Sequence, residues 1–244
     1  MKYQLSIIIP VLGESSTINR IIEHLYHLKF SQHAEIIVID GNPQMDTIQV
    51  ITDNRVKKEV AKKGRGSQMN KGADIAKGDI LIFLHADTTM EHHALERILN
   101  TVHHQHVVGG AFDLGIRSRK VVFRIIEKVV FIRSRIMNMP YGDQVIFIKR
   151  KFFHQIGGFR EIPIMEDVDL IRRIKNSGGK ITIISSKVQT SPRRWEREGI
   201  LYCTVRNWML VFLFFIGVSP AILARFYKET PSMPTRRVET KPIL

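Results

Sequence analysis

Leu5-Ser6-Ile7-Ile8-Ile9-Pro10-Val11, then Ile18, Ile21, Ile22, Leu25 and Leu28, then Glu35-Ile36-Ile37-Val38-Ile39-Asp40: this stretch decides the fold. A near-continuous run of β-branched residues is the pattern of a strand covered on both faces, and the three-and-four spacing between the runs is that of a helix packed on one side. Ser15 and Ser16 stand where such a helix needs a capping oxygen. Strand, helix and strand in this order make one βαβ unit, which calls for a parallel pair with a helix across it.

Working outward, Asp79 to Leu84 is a further buried-strand pattern, reached through a helix from about Ser67 to Lys77 that stops at Gly78. Another helix is predicted from Glu91 to His104, a strand over Val107 to Leu114, and a helix over Val121 to Arg135 in which apolar and basic residues mix. Val145 to Ile148 reads as a strand, and Asp167 to Asn176 as a helix halted by Gly178-Gly179. The expectation is an α/β fold with a mostly parallel, Rossmann-like sheet flanked by helices. Trp208 to Ala224 is apolar but contains Gly217, Ser219 and Pro220, and is short of the roughly 20 residues that span a bilayer. It reads as a buried or interfacial helix ended by Arg206 and Arg225. The organisation expected is one domain over 1–200, a C-terminal apolar and basic helical segment over 201–228, and a frayed tail over 229–244.

Composition bounds the partners. With 244 residues, 44% hydrophobic and 25% charged, the chain can build a large core. Lys and Arg number 37 against 23 Asp and Glu, a net charge of +14 that favours phosphorylated substrates, acidic lipid or nucleic acid. No zinc-finger spacing, RNA-binding aromatic signature or helix-turn-helix pattern accompanies the charge, so nucleic acid is not the expected partner. The single cysteine, Cys203, allows no internal disulfide and suits a reducing cytosol. The opening apolar run is too short for a signal peptide, so the expected location is cytoplasmic, with peripheral contact at the inner face of the cell membrane.

In a parallel sheet, ligands sit beyond the carboxyl ends of the strands, and those ends are polar here: Pro10 and Glu14, Asp40-Gly41, and His85-Ala86-Asp87. Any one acidic strand-end residue also serves as a turn former or helix cap. Three at one edge suit a nucleoside and a hard divalent cation bridging phosphates. Gly64-Arg65-Gly66 opens a helix, where free N–H groups favour anions, yet has neither the P-loop nor the dinucleotide spacing. Glu166, Asp167 and Asp169 enrich a helix N-terminus in negative charge, which is stabilising in itself. Gly142-Asp143-Gln144 precedes a strand and fits either a turn or a ligand-lining loop. The adjacent pairs His92-His93 and His103-His104 do not face one another as metal ligands would, and read as a solvated surface.

The set Ser6-Ile-Ile-Ile-Pro10 with Glu14, Ile39-Asp40-Gly41, Gly64-Arg-Gly-Ser-Gln-Met-Asn70-Lys-Gly72, Phe83-Leu-His85-Ala-Asp87-Thr88, Gly142-Asp-Gln144 and Met165-Glu166-Asp167 resembles glycosyltransferase family 2, with its GT-A fold. More narrowly, His85-Ala-Asp87-Thr88 and Arg193-Arg-Trp-Glu-Arg197 are similar to a bacterial subgroup of radical-SAM/selenodomain-associated transferases. The resemblance implies donor-nucleotide contacts by Pro10, Glu14, Asp40 and Arg65, with His85 at the sugar or ribose. It implies Asp87 as the last carboxylate of the family's Asp-x-Asp motif, binding Mn²⁺ or Mg²⁺, with His85 in place of the first carboxylate. Glu166-Asp167 matches the pair that supplies the general base, of which Asp167 is favoured. Asp143, Gln144, Arg194 and Trp195 fall on the acceptor or leaving-group side. Arg194-Trp195 is similar to the Gln-x-x-Arg-Trp motif of processive members, with Ser191 where glutamine belongs, which implies non-processive transfer.

The function expected is inverting transfer of a sugar from a nucleotide-diphosphate donor to a hydroxyl of a lipid or small-molecule acceptor. The alternatives are a nucleotidyltransferase, or a non-catalytic nucleotide- or polyanion-binding module on the same scaffold.

Overall fold

The computed structural model describes residues 4–104 and 106–227; the tail expected over 229–244 lies outside them. The first βαβ unit forms as its pattern demands. β1 (Leu5–Val11) and β2 (Ala34–Asp40) pair in parallel, Leu5 opposite Ala34 and Val11 opposite Asp40, and α1 (Ile18–Tyr26) joins them. Alternate residues of β1 enter opposite faces of the sheet. Leu5, Ile7, Ile9 and Val11 pack with Ile18, Ile21, Ile22 and Leu25 of α1, whereas Ile8 packs on the other face with Met69 and Ala73.

β3 (Lys57–Val60), α2 (Arg65–Ile75), β4 (Ile80–Phe83), α3 (Ala94–Val102) and β5 (Val107–Ile116) follow, then α4 (Val121–Met137) and β6 (Ile146–Lys149). After α5 (Arg150–Gln155) and α6 (Glu166–Asn176) comes β7 (Lys180–Thr190). The seven strands lie in the order β3-β2-β1-β4-β6-β5-β7. The sheet is mixed, correcting the mostly parallel arrangement expected: β6 runs antiparallel to both β4 and β5. Direction is invisible to hydrophobic periodicity, which is the same for a buried strand run either way. The reversal matters, because it brings the start of β6 to the edge where β1, β2 and β4 end.

The C-terminal apolar stretch is two helices instead of one. α7 (Arg193–Glu198) leads into α8 (Ile200–Phe215), and α9 (Pro220–Ala224) follows a break. Gly217 makes that break with φ 96, a left-handed conformation that costs glycine little, and Pro220 starts the next helix at a position where its missing N–H is not needed. Leu210, Phe214 and Leu223 share a core with Ile8 and Leu81, so this segment packs back onto the sheet domain. Cys203 is buried there. Among the described residues no helix is long and apolar enough to cross a membrane.

One buried polar contact ties the first two strand ends together. Gln68 on α2 donates from Nε2 to the carbonyls of Val11 (2.7 Å) and Ile39 (2.8 Å), with only 3% of its surface exposed. A buried carbonyl that loses its donor bears the desolvation cost alone. Gln68→Leu is therefore expected to lower stability by about 2 kcal/mol, read as a lower urea midpoint at unchanged slope.

Candidate active site

The loops that leave β1, β2 and β4, the loop that enters β6 and the first turn of α6 meet at one edge of the sheet. The loop after β2 is built around Asp40, which is fully buried. Its Oδ2 accepts the N–H groups of Thr47 (3.1 Å) and Ile48 (3.2 Å), and its Oδ1 that of Asn42 (2.9 Å). Both oxygens thus hold the loop after β2. Thr47 Oγ1 in turn accepts the Glu14 N–H at 3.0 Å. Glu14 accepts from Thr17 Oγ1 at 3.0 Å and from Arg193 at 3.2 Å, an ion pair that links the β1 loop to α7 across 179 residues. Pro10 is half-buried at the end of β1.

At the centre the two carboxylates of the sequence motif differ. Glu166 is 6% exposed. Burial and then the neighbouring Asp167 charge push its carboxyl up to about 7, against the pull of Arg65. Asp167 is only half-buried; its Oδ2 accepts the Gly142 N–H at 2.6 Å and its Oδ1 the Val168 N–H at 2.8 Å. A Cβ built on Gly142 would stand 3.0 Å from His85 Nε2 and 3.2 Å from Asp167 Oδ2. A glycine is what allows this close approach, with its N–H on Asp167 and no side chain pressed against His85.

His85 is neutral at ordinary pH: burial and the Arg65 charge press its imidazole down to about 4, although Asp87 and Asp167 pull the other way. It is fit to accept or donate a hydrogen bond, with no cationic role. Asp143 is pushed up to about 6 by burial and by the charges of Asp167 and Asp87, with Arg133 opposing. For Arg65, the protein around its head group works against the charge, but Tyr227, Glu166, Asp167 and Asp87 outweigh that and hold it protonated. One guanidinium thus faces a set of carboxylates.

Among the described residues no group of three or more His, Cys, Asp and Glu side chains is arranged to hold a metal by itself. What the site offers a cation is narrower and still suitable. Asp87 is half-buried, with Oδ1 met by the Thr88 hydroxyl at 3.3 Å. Asp143 Oδ1 is buried with no hydrogen-bond partner, and the two carboxylates repel. An ion that keeps its waters and takes further ligands from a diphosphate fits such a sparse set.

The remaining motif residues serve as supports. Gln144 is fully buried; its Oε1 accepts from Arg133 (2.9 Å), Ser134 (3.1 Å) and the Tyr141 N–H (3.2 Å), and its Nε2 donates to Phe112 O (2.9 Å). It fastens the loop carrying Gly142 and Asp143 to α4 and β5. Arg194 pairs with Glu198 and lies over the Tyr227 ring, while Trp195 packs edge-on against Phe123 of α4. Arg117 donates to the Asp87 carbonyl at 2.5 Å. The contacts of Arg117, Gly142, Tyr227 and Gln68 are not foreseen from the sequence; the Gly64-to-Gly72 and Gly142-Asp143-Gln144 strings mark Gln68 and Gly142, whereas Arg117 and Tyr227 act through distant contacts that no motif signals.

The fold and the site define an α/β domain with carboxylates gathered at one edge of its sheet. The family described as glycosyl transferase family 2 matches residues 6–162, and the chain belongs to it. The "Probable glycosyltransferase YdaM" of Bacillus subtilis (strain 168) is 21% identical over 226 residues, covering 80% of this chain and 51% of that protein. The chain thus spans about half the length of this curated relative. The crystal structure of S. aureus TarS 1–349 superposes with a TM-score of 0.64 at 16% identity, over 90% of this chain and 68% of that one. TarS with UDP-GlcNAc gives 0.62 at 17%, over 77% and 58%. The mannosyltransferase PcManGT from Pyrobaculum calidifontis, in complex with GDP-Man and Mn²⁺, gives 0.57 at 13%, over 78% and 57%. These likenesses establish a GT-A-like fold.

A carboxyl raised from 4.5 in the unfolded chain to about 7 binds its proton more tightly when folded, so its contribution to stability falls as pH rises through that window. Asp143 works in the same direction and His85 in the opposite one. Glu166→Gln removes the Glu166 part. Its stability relative to the parent chain is expected to climb between pH 4.5 and 7, by on the order of 3 kcal/mol, as read from denaturant midpoints over that range.

Proposed function

We propose that the chain moves a sugar from a nucleoside diphosphate donor to an acceptor hydroxyl, with inversion and without processive polymerisation. Membership of the family supports the class of reaction. The observation that carries the mechanism is Asp167, half-buried, held by two backbone N–H groups and close to His85 across Gly142.

The acceptor oxygen attacks the anomeric carbon from the face opposite the nucleotide, and its proton passes to the Asp167 carboxylate as the new C–O bond forms. The bond from the anomeric carbon to the phosphate oxygen breaks, and the diphosphate leaves with the electron pair. Glu166, pushed up to about 7 by burial and by the Asp167 charge, carries its negative charge only in part at neutral pH. Neutral His85 offers a hydrogen bond to the sugar. Arg65 at the mouth, with Arg193 on Glu14, supplies positive charge for the departing diphosphate. Asp87, faced by Asp143, would hold a Mn²⁺ or Mg²⁺ ion. When bound, such an ion neutralises the diphosphate charge.

Two features support single transfers: Ser191 at the position of the processive motif's glutamine, and Trp195 turned to pack on Phe123. Kinship with the bacterial selenodomain-associated subgroup rests on the His85-Ala-Asp87-Thr88 and Arg193-to-Arg197 strings.

Asp167→Asn is expected to fold and bind nucleoside diphosphate as before while losing turnover by about 10²–10⁴. Asp87→Ala is expected to weaken donor binding only when Mn²⁺ is present, as measured by calorimetry. Release of nucleoside diphosphate marks sugar transfer, whereas pyrophosphate would mark nucleotidyl transfer. Turnover at the parent rate in Asp167→Asn would remove the assignment of the base.

A further inference from the structure

α4 is apolar on two sides. Phe123, Ile126 and Val130 bury against Leu114, Ile116, Trp195 and Ile200. On the other side Val122, Ile125, Val129, Ile132 and Ile136 recur at alternating three- and four-residue steps and are 37% to 78% exposed. α8 repeats the arrangement: Cys203, Leu210 and Phe214 are buried, while Leu201, Val205, Trp208, Phe212 and Phe215 form a second seam, 41% to 78% exposed. A helix apolar on all but one strip is the pattern of a helix covered on both sides. Residues 228–244, with Pro231, Pro234 and Pro242, carry no apolar run to match either seam.

The two helices converge, since Trp195 and Ile200, which lead into α8, pack in the same cluster as Phe123, and Lys120 pairs with Glu196 of α7 at 3.2 Å. Both ends of α4 are also fastened to the site. Arg117, just before it, holds the Asp87 carbonyl, and Arg133 and Ser134 near its end hold Gln144, two residues from Gly142.

We propose that the exposed seams of α4 and α8 are a docking surface for an anionic lipid bilayer, laid beside the mouth of the cleft. Three observations select this occupant. Arg119 and Lys128 stand exposed beside the α4 seam, Arg225 stands exposed after α9, and the whole chain carries +14. Anionic headgroups attract such a rim, whereas a second copy would set like charges against like. Trp208 and Tyr202 place amphipathic rings on the α8 face, the residue types that settle at a membrane–water boundary. Finally, no described helix is long and apolar enough to cross a bilayer, so contact with one through α4 and α8 would be at its surface.

The test is sedimentation of the full chain with vesicles of phosphatidylcholine alone and of an equimolar phosphatidylcholine–phosphatidylglycerol mixture, without donor. Binding is expected to the mixture and to weaken as salt screens the basic rim. Paired substitutions on either seam, Ile125→Glu with Ile132→Glu or Val205→Glu with Phe212→Glu, are expected to reduce partitioning roughly tenfold or more. These side chains are exposed, so the thermal transition and nucleoside diphosphate binding in solution should stay as in the parent chain. Protein left in the supernatant with both vesicles at low salt overturns the proposal, as does equal binding to both. A dimer in light scattering that the same substitutions dissolve overturns it too, since the seams would then be a subunit interface. Nucleotide binding is read without vesicles, so failure of docking and failure of the transfer mechanism are distinguishable.

Discussion

The side-chain amide of Gln68 reaches from α2 to the last carbonyls of β1 and β2 and holds them as a pair. The loops that follow β1 and β2 hang from those two strand ends. Asp40 closes β2 and folds the next loop around its carboxylate, and Thr47 of that loop takes the Glu14 N–H, so the β1 loop is set by the β2 loop. Side chains that end parallel strands must turn away from the ladder and satisfy their polar atoms locally. Here they do so on each other, which fixes the cleft wall before any ligand arrives.

Where β4 ends and β6 and α6 begin, charge acts together with the hydrogen-bonded loop that Gln144 fastens. Asp87, Asp143, Glu166 and Asp167 crowd near Arg65. Like charges at partly buried positions are costly, and the folded chain eases that cost by keeping protons on Glu166 and, toward acid pH, on Asp143. Asp167 stays the better-solvated and better hydrogen-bonded member, which separates it in role from its sequence neighbour. His85 belongs to the same economy: placed where a carboxylate stands in the family pattern, it adds no further negative charge to the set.

Much of the fold was legible because buried strands are loud. β1, β2 and β4 are nearly pure Ile, Leu, Val and Phe, and their positions followed from composition alone. β3, Lys57-Lys-Glu-Val60, is an edge strand whose charges discourage further pairing, and the same charges hide it from a hydrophobic pattern. β7, at the opposite edge, is diluted by Ser185, Ser186, Lys187 and Gln189. For the site, Glu14, Asp40, His85, Asp87, Glu166 and Asp167 could be nominated because strand ends and helix starts are chemically conspicuous. Their division of labour could not, since it depends on Thr47 reaching Glu14 and Gly142 reaching Asp167, contacts 33 and 25 residues apart.

The strand order has a consequence for how the chain comes into being. β1 to β4 and the helices between them lie within the first 83 residues, so the pairing of these four strands rests on contacts close in sequence. β6 must then enter between β4 and β5 in the reverse sense, and β7 arrives about 70 residues after β5 to complete the edge. Loop closure over such spans is slow compared with local pairing. On a ribosome β1 to β4 therefore emerge with their pairing partners while β6, β7 and α6 are still being translated, and the carboxylates of α6 can meet His85 only after that.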